Sequence, residues 1–224
     1  MSTARAYHHG NLRAALVEAG VEAVREARGP EGLAVRDLAR RVGVSHNAAY
    51  RHFADRDELL EEIAGAGMAA LTAAGAARLA AVDDADPERR ARLALREIGR
   101  SYVDFARTDT GLFRVAFAAY PSSAAAQPMV PDDEAAAEGS PFGQLSTCLD
   151  ALVDAGWLHP EARPGAEFTC WAMVHGLAML VLEGPLQHLD DASRQAMVDQ
   201  ALAAIDRSYG ATTGRAGDAY VPLG

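Results

Sequence analysis

The stretch LAVRDLARRVGVSHNAAYRHFADR, from Leu33 to Arg56, decides how the rest of the chain is read. Before Gly43, the residues Val35, Leu38, Ala39 and Val42 fall at i, i+3, i+4 and i+7, the apolar face of a short helix. Gly43 supplies the positive φ that a sharp turn needs, and Val44 fills the angle between two helices. Ser45 is a good N-cap for a second helix, on which Ala49 and Phe53 stand four residues apart and point inward. The opposite face carries His46, Asn47, Tyr50 and Arg51, short or planar hydrogen-bonding groups suited to base edges and phosphates. This is the pattern of a helix-turn-helix, whose second helix enters a DNA major groove.

Charge at first argues against that partner. The 224 residues carry a net charge of −10. Its distribution removes the objection. Residues 1–53 hold eight Arg against five Asp and Glu, with His8, His9, His46 and His52 in addition; the remainder holds thirteen Arg against twenty-six acids. A basic head on an acidic body suits a DNA reader with a partner domain of other purpose. The excess is modest, so phosphate attraction alone would bind weakly. All the basic residues are Arg, and Lys is absent.

Half the residues are apolar, enough for one small and one medium domain without staples. The two cysteines, Cys148 and Cys170, read as small hydrophobes in a reducing compartment. The start, MSTARAYHHG, has no apolar export region, and the apolar run Trp171 to Leu182 is too short to span a bilayer. A soluble cytoplasmic protein with no membrane partner is expected.

Outward from the opening stretch, only helices are expected. Residues 1–9 form an arm, and Asn11 caps a first helix to about Arg28 with Leu12, Leu16, Ala19 and Ala23 inward. Asp55 caps a fourth helix reaching about Val82, interrupted by Gly65, Gly67 and Gly75. Those glycines mark either close helix packing or a deliberately soft helix. A fifth helix opens at Asp86-Pro87 with Leu95, Ile98, Tyr102 and Phe105 on one face. GLFRVAF (Gly111 to Phe117) forms a short sixth. Tyr120 to Pro141, with four prolines, reads as a mobile loop. The seventh spans about Phe142 to Ala155 with Leu145, Leu149 and Leu152 inward. The eighth runs from about Pro164 to Glu183. The ninth runs from about Asp191 to Tyr209, with Val198, Leu202, Ile205 and Tyr209 on one stripe. The fold is all-α, with about nine helices.

Chemistry is hard to find. There is no HExxH, paired CxxC, GxSxG or phosphate-cradling glycine loop. Cys170 and His175 lie about 140° apart around a helix, too far to act together. Neither catalysis nor a metal or cofactor is expected.

The residues also carry a resemblance. YHHGNLRAALVEAG (Tyr7 to Gly20) and RDLARRVGVSHNAAYRHFADRDELL (Arg36 to Leu60) resemble the N-terminal domain of TetR-family transcriptional regulators. WAMVHGLAML (Trp171 to Leu180) resembles the Trp-His-Gly type of TetR C-terminal domain, with a weaker likeness at GLFRVAF. One departure is Val24-Arg25-Glu26, where relatives usually place an aromatic. The resemblance implies a three-helix DNA-binding domain over 1–54, a ligand-binding and dimerisation domain over 55–210, and a disordered tail over 211–224. It implies a homodimer on a palindromic double-stranded operator, with helices eight and nine packing as a four-helix bundle, and release by a small, largely apolar effector. A constitutive regulator whose C-terminal domain only dimerises is the alternative. Base contacts fall to Arg36, His46, Asn47 and Tyr50, phosphate contacts to His52 and Arg56, and Ser45 belongs to the same DNA-binding set. Tyr102, Phe105, Phe113, Phe117, Trp171 and His175 are candidates for the effector site, or plain core. The apolar stripe of the ninth helix fits a dimer seam and a protomer core equally.

Overall fold

The structure, a computed structural model, describes residues 12–118 and 139–213. Among them are nine α-helices, two short 3-10 turns and no strand. They group into two units, 12–69 with 109–118 and 70–108 with 139–213. The expected arm, the Asn11 cap, most of the 120–141 loop and the end of the tail lie outside the described residues.

The first unit holds α1 (Leu12–Ala27), α2 (Val35–Val42), α3 (His46–Ala49), the first part of α4 (Arg56–Ala80) and α6 (Thr110–Ala116). Its core is small and dry: Leu16, Val24, Leu38, Ala49, Phe53, Leu59, Leu60 and Ile63 are each no more than 1% exposed. The inner stripe of α1 is Leu16, Gly20 and Val24; the expected Leu12, Ala19 and Ala23 are only half-buried. Two branched side chains bury more apolar area than two alanines, which sets the helix's rotation. Gly20 lets α4 come close, since a Cβ there would stand 2.5 Å from Ile63 Cδ1. Val24 fills the place where the resemblance led us to expect an aromatic.

Local chemistry fixes the helix ends. Gly43 takes φ 78°, with its N–H on Arg40 O and the Val44 N–H on Ala39 O, a paired closure that satisfies two helix-end carbonyls. Asp55 Oδ1 accepts from the Glu58 N–H at 2.9 Å, and Glu58 Oε2 accepts from the Ala54 N–H at 2.7 Å. By length and composition α4 is apolar enough to cross a bilayer. It opens with Arg56-Asp57-Glu58 and places Leu59, Leu60 and Ile63 in the first unit's core, although only 22% of its apolar window is buried.

α6 is held to the end of α1. The Arg25 Nε–H donates to Asp109 Oδ2 at 2.8 Å, Arg28 Nη2–H to Thr110 Oγ1 at 3.1 Å, and Arg114 Nη1–H to Arg28 O at 2.9 Å. Gly111 lies directly against the Val24 carbonyl, where a Cβ has no room.

The second unit holds the last part of α4, then α5 (Pro87–Thr108), α7 (Pro141–Asp154), α8 (Ala166–Leu182) and α9 (Asp191–Thr212). Leu95, Ile98, Tyr102 and Phe105 line α5 as read, all buried. On α7 the buried residues are Gly143, Cys148, Leu149 and Leu152, whereas Leu145 is half-buried. The stripe Val198, Leu202, Ile205 and Tyr209 turns into its own protomer: Leu202 packs on Gly99, and the Tyr209 hydroxyl donates to Ala166 O at 3.2 Å. It is core, not seam. α9 also runs to Thr212, past the expected start of the tail at 211.

A buried ion pair locks α9 to α5. Arg92 donates Nε–H and Nη2–H to the two Asp206 carboxylate oxygens at 3.0 and 2.8 Å, and its guanidinium lies 4.0 Å above the Trp157 ring. Trp157 Nε1–H donates to Asp206 O at 3.1 Å, so the burial leaves these groups hydrogen-bonded. Burial pushes the Cys148 thiol up to about 12 and that of Cys170 to about 11, so both remain inert thiols.

Two of the three glycines of α4 follow the close-packing expectation. Gly67 meets Ala116 and Leu112, and Gly75 meets Gln144 and Ile98, which is close packing; Gly65 faces open space. Gly65→Ala should leave urea stability unchanged or raise it by up to about 1 kcal/mol. Gly67→Ala should cost about 1–3 kcal/mol, because its Cβ would stand 2.9 Å from Ala116 Cβ and 3.1 Å from Leu112 O. Equal effects at the two sites would contradict this packing.

Candidate DNA interface and effector site

α3 is one turn long, shorter than the run to Phe53 that its spacing suggests. Beyond Ala49 the chain tightens into turns: the His52 and Phe53 N–H groups both reach Ala49 O, at 2.9 and 3.2 Å. Ser45 Oγ accepts from the Ala48 N–H at 3.2 Å, the cap the sequence indicates. With Ala49 and Phe53 fully buried, His46, Asn47, Tyr50 and Arg51 are turned to solvent. Arg36 is exposed on α2 and His52 is half-buried. The His46 and Tyr50 rings lie 4.5 Å apart, so each restricts the other.

Arg56 has a second task that sequence spacing did not indicate. Its Nε–H donates to Leu33 O at 3.0 Å and its Nη2–H to Pro30 O at 2.7 Å, tying the loop before α2 to the start of α4. Arg13 went unnoticed as well, although it contacts the turn after α3 directly. Its neighbours are distant in sequence, and nothing in the local pattern marks it.

The six candidates for an effector site fall in both units. Phe113 and Phe117 pair with each other in the first unit, ring centroids 4.7 Å apart. Phe105 is buried on α5. Tyr102, Trp171 and His175 do meet, across α5 and α8. Trp171 Nε1–H donates to the Tyr102 hydroxyl at 3.2 Å, and that hydroxyl lies 2.7 Å from His175 Nδ1. An indole nitrogen only donates, so the tyrosine oxygen accepts there; its own proton goes to Nδ1 when the imidazole is in its neutral Nε2–H tautomer. Burial agrees on both ends, holding His175 below its ordinary 6.5 and Tyr102 well above its ordinary range. The result is a part-buried aromatic cluster whose indole, hydroxyl and imidazole groups are hydrogen-bonded in series. Among the described residues no group of His, Cys, Asp and Glu is arranged to hold a metal.

Residues 16–63 match the family described as bacterial regulatory proteins, tetR family, and residues 95–205 match the tetracyclin repressor-like C-terminal domain. No curated protein is matched by sequence. Among solved structures, a protein of unknown function from Rhodococcus sp. RHA1 is 26% identical with TM-score 0.72, over 92% of this chain and 99% of that one. RolR in complex with resorcinol is 18% identical with TM-score 0.58, over 98% of each chain. AmtR of Mycobacterium smegmatis is 13% identical with TM-score 0.50, over 99% of this chain and all of that one. These last two show likeness of fold.

On this geometry, Asn47→Ala and His46→Ala should relax base preference, each by about 1–3 kcal/mol at the contacted position, measured on singly substituted duplexes. The relay makes a separate prediction. A histidine held below its ordinary value contributes stability that is fully present above pH 6.5 and lost as pH falls through its folded-state value. The melting temperature of the native chain should therefore fall more steeply below pH 6.5 than that of His175→Gln. Parallel curves would contradict the neutral relay.

Proposed function

The chain belongs to the TetR family of bacterial transcriptional regulators, and from it we propose a repressor that holds a palindromic operator as a homodimer and is released by a small molecule. It is a DNA-binding regulator and not an enzyme. The observation that carries the proposal is the exposed row His46, Asn47, Tyr50 over the buried pair Ala49 and Phe53, which aims hydrogen-bonding groups outward from a fixed base. Residues 1–54 serve the operator in the cytoplasm, and 55–210 serve dimerisation and the effector.

Dimerisation is assigned to α8. One side of it is core, with Cys170, Val174, Leu177 and Val181 buried. The other exposes Phe168, Met173 and Leu180, 51, 37 and 45% accessible, beside the small residues Ala172 and Gly176. A helix apolar on all sides is normally covered on all sides, and small residues let a second helix approach. The effector is assigned to Tyr102, Trp171 and His175, in a C-terminal domain of the Trp-His-Gly type, with Phe105, Phe113 and Phe117 as further candidates. Coupling runs along α4, which begins just after the reading turn and continues into the second unit, and through α6, which Arg25 and Arg28 hold to α1.

Met173→Arg with Leu180→Arg should convert a dimer of twice 23.6 kDa into a monomer in light scattering, with helicity retained. A native chain that is monomeric at micromolar concentration would contradict the assignment. Screening small aromatic compounds for loss of DNA-bound anisotropy tests regulation. A releasing compound should lose its effect in His175→Ala, while ligand-free DNA affinity stays unchanged. If nothing releases the DNA, the constitutive reading takes its place.

A further inference from the structure

A helix of one turn cannot set its own angle. Fixing its few dihedrals gains almost no internal hydrogen bonding, so its orientation comes from what it rests on and what holds its end. Beneath α3 lie Ala49 and Phe53, both fully buried. At its end stands Arg13 of α1. One guanidinium nitrogen, Nη1, donates to the His52 carbonyl at 2.5 Å and to Glu58 Oε1 at 3.2 Å; the other, Nη2, donates to Glu62 Oε1 at 2.8 Å. The guanidinium carbon sits 4.5 Å from the centre of the Phe53 ring. A single side chain thus joins α1, the carbonyl closing the reading turn, the ring beneath it and the first turns of α4.

We propose that Arg13 is a positioning residue for sequence discrimination: it sets the angle of α3 on the duplex without itself touching DNA. The assignment rests on the DNA-binding reading. Three observations separate it from a phosphate contact and from a simple stabiliser. Its charge is already opposed by two carboxylates, leaving little to draw a phosphate. Those pairs are 38–46% exposed, the kind of ion pair that adds little to stability. Its remaining contacts, to His52 O and the Phe53 ring, lie within three residues of Tyr50. The guanidinium fork reaches these groups at once, whereas an ammonium would be a point charge choosing among them.

The experiment uses the full chain, the duplex most enriched by it from a random pool, and a scrambled duplex of equal length, across several salt concentrations. Arg13→Gln should reduce the ratio of specific to scrambled affinity about tenfold, the worth of one good base contact. The slope of log affinity against log salt should stay that of the native chain. Arg13→Lys should fall between the two. Glu62→Gln removes only the Nη2 anchor, keeps the fold if Arg13→Gln loses it, and should show a smaller loss with the same slope. An unchanged ratio in these variants would overturn the proposal, as would a slope shallower by about 0.9, which marks a lost phosphate contact. A native chain that enriches no sequence would instead sink the DNA-binding reading itself.

Discussion

The DNA face depends on the burial of Phe53 and Ala49 under a helix only one turn long. Burying one aromatic ring and one methyl is what turns His46, Asn47 and Tyr50 outward together. A full-length recognition helix would carry some of that order in its own hydrogen bonds; here it comes from packing and from side chains on other helices. The first unit is correspondingly rich in arginine reaching to distant partners. Arg13 joins α1 to α4, Arg56 joins the loop before α2 to α4, Arg41 joins α2 to Glu26 of α1, and Arg25 joins α1 to α6. A core of so few residues leaves much of the shape to polar ties.

The second unit is held differently. Its central constraint is Arg92 on Asp206 beneath the Trp157 ring, which holds α9 against α5. Among the described residues, that leaves α8 as the helix with an uncovered apolar side. Trp171 and His175 lie on a flank of α8 between its buried and exposed sides, against Tyr102 of α5.

Periodicity and end-cap chemistry were legible from the sequence alone. The Gly43 turn, the Ser45 and Asp55 caps and the inward face of α5 follow from short-range rules that depend on few neighbours. What the sequence hid was three-dimensional. The stripe of α1 shifted because Gly20 admits Ile63, a residue 43 positions away. The stripe of α9 fits a seam and a core equally until Gly99 and Arg92 supply the other surface. Arg13 and Arg56 look like ordinary surface arginines until the carbonyls they hold come into view. For the effector candidates, aromatic residues at helical spacing do not reveal which of them share a polar contact, as Tyr102, Trp171 and His175 do.

The central claim is that a one-turn helix, presented twice by a symmetric dimer, reads DNA. Selection from a pool of random duplexes with the full-length chain tests it most directly. The account predicts enrichment of an inverted repeat whose half-sites lie about 10–10.5 base pairs apart, centre to centre, or a multiple of that spacing. A pool that stays random, or one that converges on a single asymmetric element, would contradict it.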